Sequence, residues 1–116
     1  MDNVVMSPEA ESDLERIGDY IARQSGSPKT ALSIILKIRT RIDELKEFPL
    51  IGKQLSSIIA ADTDYRFLGC GSYLAFYRYH NGEVLIDRIL HGRQDYITIL
   101  LRDMTDNDTF NENGGD

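Results

Sequence analysis

The chain has 116 residues, 41% of them hydrophobic and 28% charged, which fits one globular domain with a single core. No apolar run approaches the roughly 20 residues of a membrane span, and the opening MDNVVMSPEAESDLE lacks the features of a secretory signal, so a cytoplasmic protein with no membrane partner is expected. The net charge of −6 lies mainly at the two ends, with eight acids against nine bases over residues 36–101, which argues against binding free DNA by charge alone.

Asn3-Val4-Val5-Met6 suits a short strand. Ser7-Pro8-Glu9 then announces a helix: serine as N-cap, proline at the first helical position, acid in the first turn. Ala10, Leu14, Ile17 and Ile21 recur at helical spacing, and Gly26 is placed to end the helix. The signal repeats at Ser27-Pro28, with Ala31, Ile34, Ile35, Ile38, Ile42 and Leu45 as the apolar stripe and Phe48-Pro49 as the stop. Two helices joined by two or three residues run antiparallel as a hairpin.

Residues 50–64 read as a connector. Tyr65–Leu68 is a short strand broken by Gly69-Cys70-Gly71. Ser72–His80 and Glu83–Leu90 are rich in aromatic and branched residues and flank Asn81-Gly82, a strong hairpin signal. A regular two-residue turn sets Tyr79 opposite Val84, Tyr77 opposite Ile86, Ala75 opposite Arg88 and Tyr73 opposite Leu90. The more apolar face, Tyr73, Ala75, Tyr77, Tyr79, Val84, Ile86, Arg88 and Leu90, is expected on the helices, with Arg88 snorkelling or paired with an acid. The opposite face, carrying Leu74, Phe76, Arg78, His80, Glu83, Leu85, Asp87 and Ile89, is expected to meet a partner. Residues 96–101 suggest a short final helix or strand. Residues 102–116, with five acids and one arginine, read as a flexible tail.

The second strand of the hairpin empties into His91-Gly92-Arg93-Gln94-Asp95. His91 has the intrinsic chemistry of an acid–base catalyst, and it also suits a strand end that hydrogen-bonds its own turn. Arg93 and Asp95 suit either a phosphate clamp and an acid or a local ion pair. Cys70 is the only cysteine, so no internal disulfide forms, and with two histidines it makes no metal site of familiar spacing. No cofactor is expected.

VVMSPEAESDLERIGDYI, FPLIG, YRFLGCGSYLAFYRY and VLIDRILHGRQDY, in this order, resemble the RelE/ParE superfamily of bacterial toxin–antitoxin toxins, and the ending is closer to ParE-like members. The resemblance implies an α+β fold: short N-terminal strand, antiparallel helix hairpin, small antiparallel sheet and short C-terminal element, in one domain over residues 1–101. It implies a toxin of a plasmid-stabilisation-like module, neutralised by a cognate antitoxin protein and acting on DNA gyrase. The alternatives are a metal-independent, ribosome-dependent mRNA endonuclease of RelE type, or a decayed, non-toxic binding module. In RelE-like enzymes Arg93 corresponds to a phosphate-stabilising arginine, whereas Leu74 and Ile99 stand where an arginine and a tyrosine are expected. His91 and Arg93 are the catalytic candidates if the protein cuts RNA. Arg66, Arg78, Arg93, Asp95 and Tyr96 are candidates for binding the target, and Leu14, Ile17, Ile34 and Ile38 for binding the antitoxin.

Overall fold

Serine hydroxyls start both helices. In the computed structural model, which describes residues 2–60 and 62–103, Ser7 Oγ accepts the Ala10 amide at 3.0 Å and Ser27 Oγ accepts that of Thr30 at 3.1 Å. Helix α1 runs Pro8–Ser25 and ends on Gly26 at φ 68°, a left-handed conformation that glycine adopts without cost. Helix α2 runs Pro28–Asp43 and tightens into a 3₁₀ turn at Glu44–Lys46. None of the described helices is long and apolar enough to cross a membrane.

Among the described residues five strands make one sheet: β1 (Asn3–Met6), β2 (Lys53–Gln54), β3 (Arg66–Cys70), β4 (Tyr73–His80) and β5 (Glu83–His91), in the spatial order β1-β5-β4-β3-β2. Only the β1–β5 pairing is parallel. The β4–β5 hairpin turns on Asn81 (φ 52°) and Gly82 (φ 77°), the two positive angles its sequence foretells. Strand β2 lies inside the stretch read as connector; two residues are too few to carry an alternation.

The hairpin register follows expectation from His80–Glu83 to Tyr77–Ile86 and then shifts by one. Phe76 stands opposite Arg88, leaving Asp87 as the extra residue of a β-bulge. Ala75 therefore faces Ile89, not Arg88, and Tyr73 faces His91, not Leu90. Past the bulge Ile89 joins the helix-side core, while Leu90 belongs to the cluster on the other side.

The helix-side core holds Ala10, Leu14, Ile38, Ile42, Leu45, Tyr77, Val84 and Ile86, all at most 3% exposed. The other face of the sheet is not an open partner surface along its whole length, as the alternation suggested. Residues 96–103 form a helix, α3, and with the connector they close over this face: Leu55, Tyr65, Phe76, Leu90 and Leu100 are buried together, with Leu74, Tyr96 and Ile99 packed against them. A face bearing Phe76 and Leu90 gains roughly 1.5–3 kcal/mol for each large side chain withdrawn from water, which favours this cover. The boundary expected after residue 101 falls inside α3, and Asp103 binds Arg88 at 2.9 Å. The acidic tail from residue 104 onward lies outside the described residues.

The connector is fastened from within. The buried Tyr77 hydroxyl donates to Pro49 O at 2.8 Å and accepts the Gly52 amide at 3.0 Å. A Cβ on Gly52 would lie 2.5 Å from that hydroxyl and 2.9 Å from Phe67 O, so only glycine fits.

Candidate functional site at the end of β5

The corner His91–Asp95 is a tight turn that leads into α3. Gln94 N donates to His91 O at 3.0 Å, and Gln94 Oε1 accepts the His91 amide at 2.9 Å. Gly92 N donates to Ser72 O at 2.9 Å, tying the turn to the start of β4. Asp95 is the cap of α3: its carboxylate accepts the Thr98 hydroxyl at 2.7 Å and the Thr98 amide at 3.3 Å, and these bonds hold it below the usual carboxylate range.

His91 is oriented on both sides. Its Nδ1 accepts the Arg93 amide at 3.0 Å, and its ring meets Tyr73 edge-on at 5.1 Å. An Nδ1 that accepts a backbone N–H carries no proton, so the neutral ring bears its hydrogen on Nε2. In this arrangement His91 is a donor, not a base. The Arg93 guanidinium is exposed and has no ion-pair or hydrogen-bond partner among the described residues; the local pair with Asp95 does not form.

Beneath this corner Arg88 is paired with acids, one of the two arrangements its place on the apolar face suggested, and the main partner is Asp13. Asp13 of α1, with its side chain 2% exposed, accepts Arg88 Nε at 2.8 Å, Arg88 Nη2 at 3.0 Å and the Ile89 amide at 2.8 Å. Arg16 also donates to it, and Arg88 reaches on to Asp103 of α3. Hydrogen bonding to Asp13 drives the Arg88 guanidinium above its ordinary value, against the effect of burial. Every buried side-chain polar atom among the described residues has a partner. A signal for Asp13 was available: it stands three residues after Ala10 and just before Leu14, an acid inside the apolar arc of α1.

Arg16, Tyr20, Tyr73, His91, Arg93 and Gln94 line a cavity of about 560 Å3 between α1 and the end of β5. Burial pushes the Tyr73 phenol up, and Tyr20 adds to the effect. His91 and Arg93 therefore share one site, as the sequence suggested, while Arg16 and Tyr20 enter it from α1, where the sequence pointed only to Leu14 and Ile17, and those to an antitoxin.

The remaining candidates do not converge here. Arg78 pairs with Asp87 at 3.1 Å and lies over the Tyr65 ring; it stands five residues along β4 from Tyr73, about 17 Å by strand rise. Arg66, paired across from Tyr77, binds Gly52 O at 2.9 Å and Leu50 O at 3.4 Å and so braces the connector. Tyr96 packs on Phe76 at 5.3 Å. Leu14 and Ile38, expected on a docking surface, are 3% and 2% exposed and belong to the core; Ile34 is half-buried against it, and Ile17, also half-buried, is the exception that lines the cavity. The same stripe that marks a helix face as apolar is the one the sheet consumes. The apolar side chains that the hairpin leaves in solvent are Tyr20, Leu32 and Leu36.

Residues 4–96 match the family described as ParE toxin of type II toxin-antitoxin system, parDE. No curated protein matches the chain. Its fold is similar to that of a solved structure of a chromosomal ParDE TA system from P. aeruginosa, at a TM-score of 0.67 and 24% identity, with 78% of this chain and 96% of that one covered. With one family accounting for the chain from its first strand through the HGRQD corner, this protein belongs to the ParE toxins of type II toxin–antitoxin systems, within the RelE/ParE superfamily.

Proposed function

We propose that the chain is a growth-inhibiting toxin that acts in the cytoplasm by binding DNA gyrase, and that a cognate antitoxin neutralises it. The observation that carries this reading is the filling of the sheet face beside the corner. Leu74 and Ile99, at the positions where RNA-cutting relatives are expected to place an arginine and a tyrosine, pack into the cluster of Phe76, Leu90 and Leu100. A cut through the 2′-hydroxyl needs a base, an acid and cations at the phosphate. Here the His91 lone pair at Nδ1 is taken by a backbone amide and the Asp95 carboxylate caps a helix, which leaves Arg93 as a binding group. Purified protein is expected to inhibit gyrase supercoiling, with relief on adding antitoxin. Supercoiling untouched at micromolar excess would overturn the reading.

A second reading, a ribosome-dependent mRNA endonuclease, is favoured by the presence of His91 and Arg93 on one cavity wall. Pulse labelling after induction separates the two. Early loss of thymidine incorporation marks a topology target, and early loss of methionine incorporation marks translation. If translation stops first, a His91→Ala, Arg93→Ala double variant that stays as toxic as the parent would remove these residues from the cut.

A further inference from the structure

The cavity between α1 and the end of β5 has a chemistry that gyrase binding alone does not call for. Its volume of about 560 Å3 lies inside the roughly 300–1,000 Å3 range of small-molecule sites. Its charges are not all spent. Asp13, the one acid in its wall, is buried and serves Arg88, Arg16 and the Ile89 amide at once. Arg88 is compensated by Asp13 and Asp103. Arg93 meets no acid among the described residues. The Arg16 side chain is 68% exposed and shares Asp13 Oδ1 with Arg88, so it turns to an incoming anion at little cost. His91 lines the cavity and, pinned through Nδ1, keeps its N–H donor on Nε2.

Two recruitable guanidiniums and a fixed N–H exceed what one carboxylate uses. They suit a phosphate, with its three acceptor oxygens and a charge of about −1.5 to −2 as a monoester. The rest of the lining is aromatic and aliphatic. Tyr20 is 56% exposed and offers a flat ring beside Ile17, and the Tyr73 hydroxyl has no hydrogen-bond partner among the described residues. Such a wall accepts the face of a base without regard to its identity. The net charge of −6 repels a long strand more than it repels one nucleotide.

We infer that this cavity is a mononucleotide site, with the phosphate held by Arg93, Arg16 and His91 Nε2–H and the base laid against Tyr20. The inference does not rest on the gyrase reading and concerns binding, not cleavage.

The test is a titration of the full, nitrogen-15-labelled chain with 5′-AMP, followed by amide shifts, with no gyrase or ribosome present. The outcome is thus independent of the target. Shifts are expected at residues 16–20 and 91–94. AMP should bind about tenfold more tightly than inorganic phosphate or adenosine alone, because only AMP engages both halves of the site. Arg93→Ala should weaken AMP about tenfold, the loss of a hydrogen bond to a charged group, and Arg93→Lys should recover part of it. Tyr20→Ala should weaken AMP and adenosine together while leaving phosphate unchanged. Both side chains are exposed, so these variants keep the fold. No shift at these amides in millimolar AMP would overturn the inference. So would equal binding of adenosine and AMP, a short oligoadenylate binding far more tightly than AMP (a strand site), or a glutamate-rich peptide displacing AMP at lower concentration (a protein-binding site).

Discussion

Asp13 and Arg88 form a two-pronged ion pair, at 2.8 and 3.0 Å, across the junction of α1 and β5, and the same carboxylate caps the Ile89 amide. The pair sits next to the bulge, where an unpaired Asp87 has already interrupted the ladder, so a side chain takes over part of the backbone's bonding. It also links three elements, since Arg88 reaches Asp103 of α3.

Removing one partner of this pair should therefore cost more than removing both. Asp13→Ala leaves a mostly buried guanidinium with Asp103 alone and the Ile89 amide without its acceptor, and is expected to cost about 3–5 kcal/mol in denaturant unfolding. An Asp13→Leu, Arg88→Met double variant, filling the space with apolar atoms, should recover a substantial part of that loss. A double variant less stable than Asp13→Ala would show that the pair is not what Arg88 needs.

The Tyr77 hydroxyl carries the connector. Tyr77→Phe leaves the Gly52 amide and Pro49 carbonyl without their partner, and a loss of about 1–3 kcal/mol is expected, with faster hydrogen exchange at residues 49–53. Gly52→Ala should destabilise more, because its Cβ meets both the Tyr77 ring and the Phe67 carbonyl. Equal stability of Gly52→Ala and the parent would mean that the connector has another seat.

Alkaline pH should weaken the fold. Burial pushes the Cys70 thiol up to about 11, and burial likewise raises the phenols of Tyr65, Tyr73 and Tyr77. An acid whose folded value lies above its unfolded one keeps its proton longer in the native state. Its contribution is whole below the unfolded value, about 8.5 for cysteine and about 10 for tyrosine, and is lost as pH rises through the folded one. The melting temperature should be level from pH 7 to 8 and fall steadily above about 9. Cys70 should resist alkylation at pH 8 until the protein is unfolded.

Asp95 acts in the other direction. Its carboxylate is held low by Thr98, so its support of α3 is present above the ordinary carboxylate value and lost as pH falls through the lowered one. Asp95→Ala should loosen α3 at neutral pH, seen as faster amide exchange over residues 96–103. Asp95→Asn, which keeps a capping oxygen, should restore most of the protection.

Arg93→Glu should abolish growth inhibition with little change in melting temperature, because the side chain is exposed and has no partner among the described residues. His91→Ala should reduce toxicity less, through disorder of the turn, and His91→Asn should restore part of the activity if orientation is its role. Full toxicity of Arg93→Glu would move the target contact away from this corner.

Local chemistry carried most of the fold in plain view. Ser7-Pro8, Ser27-Pro28, Gly26 and Asn81-Gly82 mark ends and turns because capping and left-handed angles are properties of a few neighbouring residues. The bulge at Asp87 was not legible, since nothing local distinguishes an extra residue from a regular one, and it reversed the sides expected of Ile89 and Leu90. His91 and Arg93 were found as a pair because they share one turn. Asp13, Arg16 and Tyr20 were missed because they reach the site only once α1 lies beside β5, about 75 residues away in sequence. Leu14 and Ile38 were assigned to a partner because periodicity reports that a stripe is buried without naming what buries it.

The parallel pairing of the first strand with the last sets a schedule for synthesis. Asn3 pairs with Glu83 and Met6 with Ile86, while Ser7 and Asp13 take their partners from residues 86–89. Until β5 has left the ribosome, β1 has no neighbour and the start of α1 has no anchor. At about 5–20 residues per second, the chain spends roughly four to sixteen seconds with its N-terminal strand made and its place in the sheet absent. A helix hairpin forms early from local contacts, but the His91 corner is the last part of the sheet to appear, and α3, which covers the other face, follows it. The protein is therefore assembled with its chemically distinctive corner made only after both helices of the hairpin and the other strands.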